Sequence, residues 1–265
     1  MARVLDTDAD EVLYETKDTI ATITINREHL QNTISGPMLD GLTELLLEAD
    51  RDPEVRAIII TGTGRFFCAG LDLRSGGSVG QNTSTATIDL RSTPPTVLHG
   101  LDTPTICALN GSAAGYGMDL ALGCDIRIMA DKAKLSAAFT ARGVLPESGG
   151  TWILPRLLGW SKASEIIFTG RTMLSDECLD LGLVSQVVPQ DQILDKCLEL
   201  AGEIAANAPL AVQSSKRMMR MGMNETFNDH VHHVYLQLLP LFRSEDFQEG
   251  ISAFMEKRKP EFNGK

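Results

Sequence analysis

No C-x-x-C pair occurs in the 265 residues, and the five cysteines, Cys68, Cys107, Cys124, Cys178 and Cys197, are odd in number and widely spaced. That excludes a disulfide framework, offers no zinc spacing, and makes a reducing cytoplasm the expected location. Basic charge is also scarce. Lys and Arg number 24 against 35 Asp and Glu, a net charge of -11, so there is no electrostatic footprint for a phosphate backbone and nucleic acid is not an expected partner. Met1 to Asp10 carries four charged side chains before any apolar run, which does not read as a secretory leader. The stretch from Thr103 to Cys124 lacks Lys and Arg, but Asn110, Asp119 and four glycines interrupt it. A bilayer span needs about 20 predominantly apolar residues, so no membrane span is expected. His230, His232 and His233 lack the i, i+4 pair that aims two ligands one way, so no metal site is expected.

What is present is a globular composition, 43% hydrophobic and 22% charged, long enough for a sizeable core in one unit or in a large and a small lobe. Val12 to Glu15 and Thr19 to Ile25 alternate apolar and polar residues, which predicts a hairpin turning at Lys17-Asp18. Met38, Leu39, Leu42, Leu45, Leu46 and Ala49 recur at helical spacing behind Pro37. The β-branched run Arg56 to Thr61 then feeds a glycine-rich passage. The same grammar returns as a helical pattern near Thr87 to Leu98, a strand at Thr105 to Leu109, a glycine turn at Asn110 to Gly117, a short helix and a strand at Asp125 to Met129. After the strand-like Leu183 to Val188 only helical patterns follow, at Gln190 to Asn207, Pro209 to Met221, Glu225 to Leu241 and Ser244 to Lys257. Met218, Met219, Met221 and Met223 in this region suit a core or a subunit interface.

Two glycine turns, Phe66-Phe67-Cys68-Ala69-Gly70-Leu71-Asp72-Leu73 and Asn110-Gly111-Ser112-Ala113-Ala114-Gly115-Tyr116-Gly117-Met118-Asp119, each follow a buried strand. Small residues there let backbone N–H groups approach a ligand; one such cluster alone is more often just a tight strand-to-helix turn, and two in one chain weaken that reading. These segments, with Arg142-Gly143-Val144-Leu145-Pro146-Glu147-Ser148-Gly149-Gly150 and the closing Glu249 to Phe262, resemble the crotonase (enoyl-CoA hydratase/isomerase) superfamily in order and spacing from about Val12 to Phe262.

The resemblance implies an α/β fold, a spiral of repeated β-β-α units over 1–200 with a helical trimerisation region over 201–265. It implies a homotrimer or hexamer that takes an acyl-CoA thioester, with no cofactor beyond the coenzyme A of the substrate. By the same resemblance the backbone N–H groups of Leu71 and Tyr116 form an oxyanion hole for the thioester carbonyl. Asp119 matches the first of two glutamates that hold water in hydratases of the family, while the second position is Phe139, which neither orients water nor delivers a proton. Glu147 matches a carboxylate used by double-bond isomerases of the superfamily, and is the expected base. On purely structural grounds Asp119 also suits the first turn of a helix, and Glu147 a position just before a helix that starts near Thr151. Arg27, His29 and Leu30 match an early coenzyme-binding loop, with Glu28 where the family has proline. Ala69, Asp72, Leu73 and Arg74 match the segment beside the first N–H, and Phe254 and Lys257 match a pair that reaches the nucleotide of a neighbouring subunit. Isomerisation through Glu147 is the favoured expectation. Hydration by Asp119 with Glu147 and non-catalytic acyl-CoA binding are the alternatives.

Overall fold

A computed structural model describes residues 2–3, 11–72 and 93–265. Strands β1 (Ala2–Arg3), β2 (Val12–Lys17) and β3 (Ile20–Ile25) pair antiparallel with one another in that order. The β2–β3 turn falls on Asp18 and Thr19, one residue later than the alternation suggested, because both take positive φ (49° and 68°) and Lys17 stays paired with Ile20. That is the two-residue left-handed corner that matches strand twist. Helix α1 (Gly36–Arg51) follows and buries Met38, Leu42, Leu45, Leu46 and Ala49 along one face.

From there the chain repeats one unit. A strand enters the main sheet, turns a short corner into a second, smaller sheet, and leaves toward a helix. β4 (Ala57–Gly62) leads to β5 (Phe66–Cys68), and α2 (Pro94–Gly100) resumes the described chain. β6 (Thr105–Leu109) leads to β7 (Ser112–Ala114) and α3 (Tyr116–Gly123), and β8 (Ile126–Ala130) leads to β9 (Lys134–Ser136) and, after a 3-10 turn at 140–142, α4 (Gly150–Leu158). Then come α5 (Trp160–Thr169), β10 (Thr172–Leu174), α6 (Ser175–Asp180) and β11 (Gln186–Val188). The main sheet has the order β1-β2-β3-β4-β6-β8-β11, parallel from β3 onward, and the small sheet the order β10-β9-β7-β5. This is the expected spiral of β-β-α units.

Every residue of β4 and β6 is buried, as parallel strands covered on both faces require. One face packs with α1, α2 and α3 into the larger core around Ile58, Ile60, Leu109 and Phe67. The other packs Ile59, Ile106 and Ile128 against Ile193, Cys197 and Ala201 of α7 (Ile193–Ala205). The chain closes with α8 (Pro209–Gly222), α9 (Phe227–Leu241) and α10 (Glu245–Glu256), the helices that the 3.6-residue patterns predicted. The predicted helix near Thr87 to Leu98 is seen from Pro94, and its first six residues lie outside the described chain.

Candidate active site

Adjacent strands β5 and β7 run parallel, so their C-terminal ends emerge side by side. At the end of β5, Gly70 holds a φ of 112°, and a Cβ there would stand 3.1 Å from the Ala114 carbonyl oxygen and 3.9 Å from the Tyr116 nitrogen. The first corner is thus pressed against the second. Gly115, at φ 53° and ψ -123°, turns β7 into α3, a conformation only glycine adopts without strain. Gly117 lets the helix settle on the Cys68 carbonyl, where any side chain would collide.

The two corners leave two amides over. The Ile34 N–H donates to the Gly70 carbonyl and the Asp72 N–H to the Ile34 carbonyl, both at 2.9 Å, so the bridge at Leu71 uses the groups on either side of it. Tyr116 opens α3, where the first N–H groups have no intrahelical acceptor. Neither the Leu71 nor the Tyr116 N–H meets a protein acceptor among the described residues. Both residues line a cleft of about 210 Å³ with Ala69, Gly70, Ala114, Phe139, Val144 and Glu147. A second cleft, of about 270 Å³, adjoins it through the shared residues Ala69, Leu71 and Arg142, and is lined further by His29, Leu30 and Asp72. Arg142 was not singled out in the sequence. The 3-10 turn places it at the junction of the clefts.

Glu147 is the one carboxyl that lines the first cleft among the described residues. It is partly buried, and burial pushes its pKa above the usual glutamate value. Asp119 is 1% exposed and does not line the cleft. Burial and the nearby Glu147 charge raise its pKa to about 7, against the opposing pull of the Ser148 and Gly150 amides. Phe139, buried, forms an apolar wall of the cleft. Cys68, beside the first corner, is buried, its thiol pushed up to about 12 by desolvation, which leaves it inert as a nucleophile at neutral pH.

Arg27 does not line either cleft. Its Nε donates to Glu11 at 2.8 Å and its Nη1 to Asp72 at 2.7 Å and to the Thr33 carbonyl at 3.1 Å. With the fully buried Asn32, which donates to the Thr63 and Phe66 carbonyls, it braces the loop that carries His29 and Leu30. Glu28 packs its carboxylate against Gly64 and is absent from both cleft walls. Leu73 and Arg74 lie outside the described residues. Phe254, 82% exposed, lines a separate apolar groove with Phe242, Phe247 and Phe262, and Lys257 caps the same helix, so a single chain does not bring this pair to the clefts.

A family profile described as Enoyl-CoA hydratase/isomerase matches residues 15–265. The chain is 36% identical over 260 residues to the putative enoyl-CoA hydratase/isomerase YngF of Bacillus subtilis, covering 96% of this chain and 99% of that one. It is 35% identical over 260 residues to the 1,2-epoxyphenylacetyl-CoA isomerase of Escherichia coli, with 96% and 98% covered. It is 32% identical over 256 residues to the 2,3-dehydroadipyl-CoA hydratase of the same organism, with 96% and 99% covered. The crystal structure of the enoyl-CoA hydratase from Bacillus anthracis superposes with a TM-score of 0.90 at 32% identity, over 97% of this chain and all of that one. Sequence, spiral topology and paired corners agree: the chain belongs to the enoyl-CoA hydratase/isomerase family of the crotonase superfamily.

Proposed function

We propose that the protein isomerises the double bond of an unsaturated acyl-CoA, with Glu147 as the base and the Leu71 and Tyr116 N–H groups as the oxyanion hole. The observation that carries this reading is that two amides without an acceptor among the described residues and one carboxyl line one small cleft, whose other walls are small and apolar residues with Arg142 at one edge. Removing a proton from the substrate carbon places negative charge on the thioester oxygen. Two aimed N–H donors and the N-terminus of α3 stabilise that dienolate, each donor by about 2.7–4 kcal/mol in the transition state. The protonated Glu147 then returns the proton to a different carbon, so nothing is gained or lost overall. His29, Leu30, Ala69 and Asp72 line the adjoining cleft and are assigned to the coenzyme A moiety. Leu73 and Arg74 follow Asp72 in sequence and are assigned with them, while Arg27 braces the loop of His29 and Leu30. Phe254 and Lys257 are assigned to the nucleotide of a neighbouring subunit in a homotrimer or hexamer.

Relatives of comparable identity carry hydratase names as well as isomerase names, so hydration is the competing reaction. The test is incubation with trans-2-enoyl-CoA and 3-enoyl-CoA substrates of several chain lengths in heavy-oxygen water, read by mass. A migrated double bond without oxygen uptake is expected. Oxygen in the product would make the protein a hydratase, and binding without any product would make it a carrier. Glu147→Gln is expected to bind the thioester and lose about 10²–10⁴ in turnover. Because the base must be ionised and its pKa is raised, turnover falls on the acid side, with a midpoint above the about 4.3 of a free glutamate.

A further inference from the structure

Asp119 sits one turn after Tyr116 on α3, yet its carboxyl is closed off from the cleft. Oδ2 accepts the Ser148 N–H at 3.2 Å. Oδ1 is packed against Gly150, where any Cβ would collide with it, and has no partner that meets hydrogen-bond geometry. Ser148 is itself 1% exposed. The turn from Pro146 to Gly150 is therefore folded down over the aspartate, and Glu147 is the residue of that turn that faces the cleft.

We propose that Asp119 is a positioning residue, which pins the Pro146–Gly150 turn through the Ser148 amide and so fixes where the Glu147 carboxyl stands, without touching the substrate. The inference rests on Glu147 as the base. It accounts for an aspartate at this position, since the additional methylene of a glutamate would drive the carboxyl into Gly150. It also separates the two acids by task. Asp119, with its pKa near 7, is partly protonated at neutral pH, which spares Glu147 a fully charged neighbour. A water held between Asp119 and Glu147 would need both carboxyls in the cleft, and only one is there.

The experiment compares Asp119→Asn, whose side-chain carbonyl still accepts the Ser148 N–H, with Asp119→Ala, using Glu147→Gln as a reference. The readouts are kcat and KM against pH on the same enoyl-CoA panel, and amide hydrogen exchange of the 144–152 segment. Expected results are a preserved kcat and exchange pattern in Asp119→Asn, with any ionisation near pH 7 gone from its profile. Asp119→Ala is expected to lose protection in 144–152 and about 100-fold in kcat, the scale of a misplaced catalytic group, with KM little changed. The proposal is overturned if Asp119→Asn loses as much turnover as Asp119→Ala, which would make the carboxyl itself catalytic. Unchanged protection of the turn in Asp119→Ala overturns it equally, and should that variant not fold, the Asp119→Asn comparison still decides. If instead Glu147→Gln retains turnover, the base assignment fails, while the exchange arm still reads whether Asp119 holds the turn.

Discussion

At the scale of single residues, two positions carry consequences that a contact map would not reveal. Gly70 holds a φ that L side chains rarely adopt and already lies 3.1 Å, at Cβ distance, from the Ala114 carbonyl. Gly70→Ala is expected to move the Leu71 amide and reduce kcat by at least the about tenfold that 1.4 kcal/mol represents, with little change in KM, as steady-state kinetics would show. Asp119 stores a different signature. Its folded pKa, about 7, lies above the about 3.9 of an unfolded aspartate. The native state therefore holds the proton more tightly, and the stability this confers is fully present below about pH 4 and is lost as pH rises through 7. Asparagine at 119 does not titrate. Asp119→Asn should therefore gain stability relative to the wild type between pH 4 and 7, measured by urea unfolding at a series of pH values.

At the scale of elements, the fit of α3 against its neighbours sets the site. Gly117 rests on the Cys68 carbonyl of β5, so Gly117→Ala must push the helix away from the strand. That variant should lower Tm and kcat together, because the displaced helix carries the Tyr116 amide; a thermal melt beside an activity assay checks it. The far end of α3 is tied by Arg127, buried on β8, which donates to the carbonyls of Cys124 at 2.6 Å, Leu183 at 2.6 Å and Leu122 at 3.4 Å. Burial lowers the pKa of its guanidinium, but three carbonyls surround it. Arg127→Leu leaves them without a donor and should cost at least about 2 kcal/mol in chemical denaturation. Elements of this kind differ in how far sequence exposes them. The hairpin, α1 and the four C-terminal helices have long periodic patterns and were legible. Strands β9 and β10, three residues each, and α6, six residues, are too short to show a period. The two glycine corners were legible because backbone geometry demands glycine there. Arg142 at the cleft junction and the inward turn of Asp119 were not, since each depends on how the 137–150 segment folds back, which no local pattern encodes.

At the scale of the whole molecule, the helices after β11 carry large apolar side chains outward. Phe227, Tyr235 and Leu236 of α9, and Ile251, Phe254 and Met255 of α10, are exposed. A surface of this kind supports the proposed association of subunits. Phe254→Asp is expected to shift the protein toward smaller species in sedimentation or sizing. The spiral itself has a subtler effect on how the protein can be interrogated. The Leu71 and Tyr116 amides belong to successive turns, so the pitch of the scaffold sets their separation, and no side chain takes part. Alanine at position 71 or 116 itself would therefore keep the amide and leave the proposed oxyanion hole intact. An ester in place of the amide at 71 or 116 erases one donor at a time.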